Sequence, residues 1–209
     1  MRNWIPWTVP GVLALSGPVQ ADVVFNEVLA DPASDWNGDG TVHSRDDEWI
    51  EIVNDSETSI DLAGVRIASA DTAWRYEFSG TLAAHTVRVV YGHESYAWEQ
   101  ETGNPAYGLR LSNTGGTITL WRLTESDTLL VDQVEYLDAE AEDDRSGGRP
   151  ASSPDEWLLF DALNPYTGDP PPYPTGCQPS PGLSNQCTLP VLDESWGLIK
   201  EIYGDFGRN

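Results

Sequence analysis

The sequence predicts an all-β protein, an antiparallel sandwich of about eight strands followed by a short C-terminal helix. Three observations carry this reading. From Asp22 onward, short runs rich in Val, Ile, Thr, Trp and Tyr are separated by Gly, Asn, Asp and Ser. No apolar helical period appears before about the last twenty residues. A period of two is plain in Glu48-Trp49-Ile50-Glu51-Ile52-Val53.

The candidate strands are Val23 to Leu29, Glu48 to Asn54, Gly64 to Ala68, Arg75 to Phe78, Thr86 to Tyr91, Gly108 to Leu111, Thr117 to Arg122 and Leu129 to Tyr136. In the second of these, Trp49 and Val53 compete with Ile50 and Ile52 for the core. A strand with the core on one face and a loop over the other satisfies both. Asn113-Thr114-Gly115-Gly116 is a hairpin signal, because glycine takes the positive φ of tight turns, so Leu109 to Leu111 is expected to pair with Thr117 to Leu120. Glu156 to Phe160 reads as one more strand, and Pro170-Pro171-Pro172 as an extended strap. After Pro190, Leu192, Trp196, Ile199 and Tyr203 have helical spacing, with Asp193 and Glu194 in the first turn and Lys200 near the end, as the helix dipole favours. That helix either packs on the domain or serves as a docking tail.

The first 21 residues carry one basic residue, Arg2, then the apolar run Ile5 to Leu15 and the small-residue ending Val19-Gln20-Ala21. This is the pattern of a signal peptide cleaved before Asp22. The run is interrupted by Pro6, Pro10 and Gly11 and is shorter than the ~20 apolar residues of a membrane span. The expected organisation is a signal peptide over 1–21, a β-sandwich over 22–161, a Pro-rich strap with a disulfide loop over 162–189 and a helical tail over 190–209. The expected location is outside the cytoplasm, secreted or at the cell surface. There Cys177 and Cys187, ten apart around a Pro/Gly/Ser/Asn segment, are expected to form a disulfide.

The net charge is −23, with 34 acids against 11 Lys and Arg. Such a field repels phosphate backbones and anionic headgroups, which argues against nucleic acid and points to cations as partners, unless the acidity serves solubility alone. One segment has the spacing to hold a cation. Asp35-Trp36-Asn37-Gly38-Asp39-Gly40-Thr41-Val42-His43-Ser44-Arg45-Asp46 puts oxygen side chains at loop positions 1, 3, 5 and 12 and glycine at 6. Asp35, Asn37 and Asp39 would turn inward, the Thr41 carbonyl would face the ion and Asp46 would close the shell, with water or His43 at position 9. The expected ion is Ca2+, since Mg2+ prefers small octahedral shells that keep their waters. The twelve residues resemble the calcium loops of dockerin modules and EF-hands, in a form where aspartate replaces the terminal glutamate. Here the loop runs on into a strand and has no second copy, which argues against cohesin binding.

A wider resemblance covers about residues 22 to 161. Val24-Phe25-Asn26-Glu27-Val28-Leu29-Ala30-Asp31-Pro32, Asp47 to Asn54 and Ile60 to Ile67 resemble, in order, the opening of bacterial lamin-tail domains. Leu109 to Leu120 resembles that family's Leu-x-Leu-x-Asn-x-Gly-Asp-x-Ile-x-Leu segment, with Gly116 where the acid often lies. Val131 to Tyr136 resembles its last strand, and Arg145 to Arg149 and Pro179 to Asn185 its usual ending. The resemblance implies an immunoglobulin-like sandwich with the calcium loop inserted between the first two strands, and a role in interaction or anchoring.

Nothing in the sequence singles out a catalytic centre. The histidines are His43, His85 and His93, and no serine or cysteine stands in a nucleophile motif. The chain therefore reads as a secreted, non-catalytic calcium-binding module whose partner is an extracellular protein or a glycan. A secreted hydrolase is the weaker alternative. A carbohydrate-binding module is the other, drawn from nine tryptophans and eight tyrosines, with Trp74, Tyr76, Tyr96, Trp98 and Tyr107 as candidates for an exposed patch.

Overall fold

Eleven strands, one α-helix and a short 3-10 turn (Asp138–Glu140) are built from residues 23–69 and 73–187, the part of the chain that the computed structural model describes. In chain order they are β1 (Val23–Leu29), β2 (Trp49–Asn54), β3 (Ile60–Asp61), β4 (Val65–Ala68), β5 (Trp74–Glu77), β6 (Thr81–Leu82), β7 (Val87–Tyr91), α1 (Gly92–Thr102), β8 (Gly116–Leu123), β9 (Thr128–Tyr136), β10 (Ser146–Gly148) and β11 (Leu158–Phe160). One sheet has the order β11-β10-β1-β2-β7 and the facing sheet β5-β4-β8-β9, while β3 and β6 form a small ladder of their own. All pairings are antiparallel. The fold is the expected all-β, immunoglobulin-like sandwich.

The core lies between the two sheets, where Phe25, Ile50 and Ile52 face Ile67, Ile118 and Leu120, none more than 1% exposed. A bulge between Phe25 and Glu27 lets both Phe25 and Val28 reach this core, although strict alternation would send them to opposite faces. The same bulge places Glu27 opposite Glu51 on the outer face. That face is covered too. Trp49 is fully buried there with Trp36 against it, their rings 6.0 Å apart. The segment Ser180 to Asn185 lies over Glu27 and Glu51, and Asn185 donates to the carbonyls of Asn26 and Arg149. The double apolar character of β2 thus has the cause its sequence suggests, a core on one side and a loop on the other. Cys177 and Cys187 form a disulfide packed on Phe160.

Two expectations need correction. Leu109 to Leu111 does not pair with β8, whose two edges are taken by β4 and β9. Both leucines are buried, but Gly108 and Arg110 have φ of +72° and +54°, and the Leu111 amide donates to the buried Glu48 carboxylate instead of to a strand. A helix also forms well before the last twenty residues, since the polar stretch after Tyr91 is α1. The signal segment and the C-terminal helix expected over 190–209 lie outside the described residues.

Candidate functional site

The loop between β1 and β2 is held at its base by two carboxylates, Asp47 at its own C-terminal end and Asp144 from far along the chain. Asp47, fully buried, accepts from the amides of Trp36 and Asn37 at 2.9 Å and of His43 at 2.7 Å. Asp144 accepts from the amides of Ala33 and Ser34, the Ser34 hydroxyl and Trp36 Nε1. These are charge-assisted bonds, and with Asp144 110 residues from Ser34 they make the loop's entry a tertiary feature. The loop's exit is pressed on α1: a Cβ on Gly92 would stand 1.7 Å from the Arg45 carbonyl oxygen, so only glycine allows this approach.

Within the loop, Asp35 accepts from the amides of Gly38, Asp39 and Gly40 at 2.8, 3.1 and 2.8 Å. Asn37 accepts from the Asp39 amide and Asp39 from the Thr41 amide. Gly38 and Gly40 take φ of +75° and +90°, the left-handed turns that bring these side chains onto one exposed bend. Asp35, Asn37, Asp39 and the Thr41 backbone are therefore neighbours. Asp46 is not among them: its carboxylate is 3.5 Å from His43 Nδ1 at the far end of the loop. Among the described residues, no three or more His, Cys, Asp or Glu side chains are gathered so as to hold a metal ion. The donor chemistry at 35, 37, 39 and 41 suits a hard cation, and a shell closed as the spacing suggests requires Asp46 to move toward this bend.

Three glutamates are buried, Glu27 and Glu51 on the five-stranded sheet and Glu48 just before β2, and burial pushes each carboxyl up. Glu27 rises to about 8, through desolvation and the neighbouring Glu51 against the opposing Ser146 and Ser180 hydrogen bonds. Glu48 rises to about 8 and Glu51 to about 7, both through desolvation. Glu27 takes the Ser146 hydroxyl and the Ser180 amide, and Glu51 takes Asn26 Nδ2 and the Gly182 amide. Paired carboxyls can serve acid and base chemistry, but these two are fully buried beneath the Ser180–Asn185 segment and face no open cleft. They fasten the segment to the sheet.

The aromatic residues expected to share one patch do so only in part, Tyr96 and Tyr107 lining one concavity. Tyr76 packs edge-on to Phe78 and against Trp98, Tyr107 lies beneath Arg75 and Arg110, and Tyr96 projects from α1. Trp74 instead meets Trp121, at 6.4 Å and nearly perpendicular.

A family model described as Lamin Tail Domain matches residues 17–138. The chain belongs to the lamin tail domain family. Comparison with curated proteins and with solved structures gave no match. The lamin tail match runs from before β1 to the end of β9, so the loop, α1 and the Trp74–Trp121 pair lie within it, while Asp144, β10, β11 and the segment over Glu27 lie beyond. Lamin tail domains are immunoglobulin-like and serve as interaction modules, generally without enzymatic activity. No helix among the described residues of this one is long and apolar enough to cross a membrane.

Sequence reasoning pointed to the loop but missed its anchors. Asp47 stands at the edge of a strand pattern and has no local mark, and Asp144 is visible only as one acid in an acidic run.

Proposed function

We propose that this lamin tail domain is an exported, non-catalytic interaction module, secreted or held at the cell surface, and that its 35–46 loop takes Ca2+. The reading is carried by one observation: Asp35, Asn37, Asp39 and the Thr41 backbone share an exposed bend whose base is fixed by the buried Asp47 and by Asp144. A fixed base lowers the ordering cost of binding, while the like charges of Asp35, Asp39 and Asp46 favour a dication over an empty loop. The ion supplies loop order and a positive centre on an anionic surface, which is a route to an acidic or hydroxyl-bearing partner. Export is supported by the Arg2, Ile5–Leu15 and Ala21 pattern.

The test is calorimetric titration of residues 22–209 with CaCl2, with thermal melting alongside. One saturable site is expected, absent in Asp35→Ala/Asp39→Ala and not filled by equimolar Mg2+. At calcium about 100-fold above Kd the folded state gains about 2.7 kcal/mol, seen as a raised Tm that EDTA reverses. No heat, or heat unchanged in the double variant, removes calcium from the reading. N-terminal sequencing of protein recovered from culture medium is expected to begin at Asp22.

A further inference from the structure

The outward face of the β5-β4-β8-β9 sheet carries a feature that the loop and the family do not account for. Trp74 of β5 and Trp121 of β8 are half-buried and nearly perpendicular, forming a corner above the small, buried Ala68. Thr117, Thr119 and Thr128 line the same concavity of about 390 Å³ with Ser69. The Trp121 ring is pinned by its Nε1 donating to Thr119 Oγ1 at 2.9 Å, and Thr119 Oγ1 in turn donates to the Ala68 carbonyl. No hydrogen bond to another described residue engages the hydroxyls of Thr117 and Thr128. At the rim Arg66 pairs with Glu77 at 2.7 Å and lies over Trp74 at 5.5 Å, and the exposed Glu135 is the cross-strand neighbour of Thr117.

These properties select a class of ligand. A purely apolar partner leaves the threonine hydroxyls without partners, and an anionic one finds Arg66 already paired with Glu77 and the Glu135 carboxylate beside Thr117. An anionic one also meets the field of a chain with charge −23. A neutral sugar meets all three conditions. The axial C–H face of a pyranose stacks on an indole, its edge lies toward the second ring, and its hydroxyls reach donors and acceptors at the rim. We propose that the Trp74–Trp121 corner is a binding site for a neutral hexose-based glycan. The proposal supplies a partner class to the interaction module and stands independently of the calcium loop, which is on a different part of the fold.

The test uses residues 22–209 in EDTA, so that loss of the calcium reading leaves it unaffected. Cellohexaose, mannohexaose and chitohexaose are titrated while tryptophan emission and its quenching by acrylamide are followed. Saturable protection by at least one of the three is expected, with Kd in the micromolar to millimolar range. Trp74→Ala and Trp121→Ala are each expected to weaken it at least tenfold. Thr128→Val, an exposed position whose change leaves the fold intact, is expected to weaken it severalfold and keeps the test decisive if a tryptophan variant misfolds. Absence of protection by all three sugars overturns the proposal. So does binding that survives both Trp74→Ala and Thr128→Val unchanged.

Discussion

Arg75→Ala is expected to destabilise the protein by about 3–5 kcal/mol, a fall in Tm of about 6–20 °C for a chain of this size. Arg75 and Glu99 are 1% and 0% exposed at their side chains and 2.9 Å apart. Removing the guanidinium leaves a carboxylate deep in the protein, and its remaining hydrogen bonds, from the amides of Tyr107 and Gly108, do not neutralise it. The cost arises from that stranded charge more than from the lost attraction. Arg75→Met/Glu99→Met, which removes both charges and keeps the volume, is therefore expected to recover most of the loss, less what Tyr107 and Gly108 forfeit. Urea denaturation of the three proteins measures this, and a cost below about 1 kcal/mol for Arg75→Ala would show that water reaches the site.

The second large effect is with pH. Glu27, Glu48 and Glu51 have carboxyls raised from 4.5 to about 8, about 8 and about 7 in the folded protein. Where the folded value is the higher one, folding takes up protons. The associated stability is fully present below the unfolded value near 4.5 and is lost as the pH rises through 7 to 8. Tm measured in EDTA is thus expected to rise as the pH is lowered from 8 toward 5, and relief of the general negative charge acts in the same direction. Glu27→Gln separates the two. It keeps an acceptor for Ser146 and Ser180, removes the proton uptake, and is expected to stabilise at pH 8 by an amount on the order of a kcal/mol or more while flattening the slope. An unchanged slope would place the effect on the exposed acids.

What the sequence revealed and what it withheld follow from how each element is buried. β1, β2, β4, β8 and β9 bury alternating apolar side chains and were legible as strands within a residue or two. Helix α1 was not, because it docks through polar groups: the Ser95 hydroxyl donates to the Arg75 carbonyl, Glu99 takes the Arg75 guanidinium, and Glu94 caps the Tyr91 amide. Such a helix has no apolar stripe to find. β10, Ser146-Gly147-Gly148, has no side-chain pattern at all, and it is a strand because the edge of β1 is open to it and Ser146 reaches Glu27. The 35–46 spacing was visible because its constraints are local, a sequence of turns. Its anchors were invisible because they are carboxylates chosen by tertiary position. The same blindness to distance affected the aromatic patch, where Trp74 could be noticed but its partner is a strand away in space and 47 positions on in sequence.

The family match ends at residue 138, but the architecture does not. Residues beyond it fill the sheet edge next to β1, supply Asp144 to the loop entry and Arg149 to Asp132 and the Phe25 carbonyl, and close over Glu27 and Glu51. A fragment cut at residue 138 would expose two desolvated glutamates and a long unpaired edge, the conditions for strand exchange between molecules. The folding unit of this protein is longer than the stretch the family model matches, and its boundary is drawn by buried carboxylates.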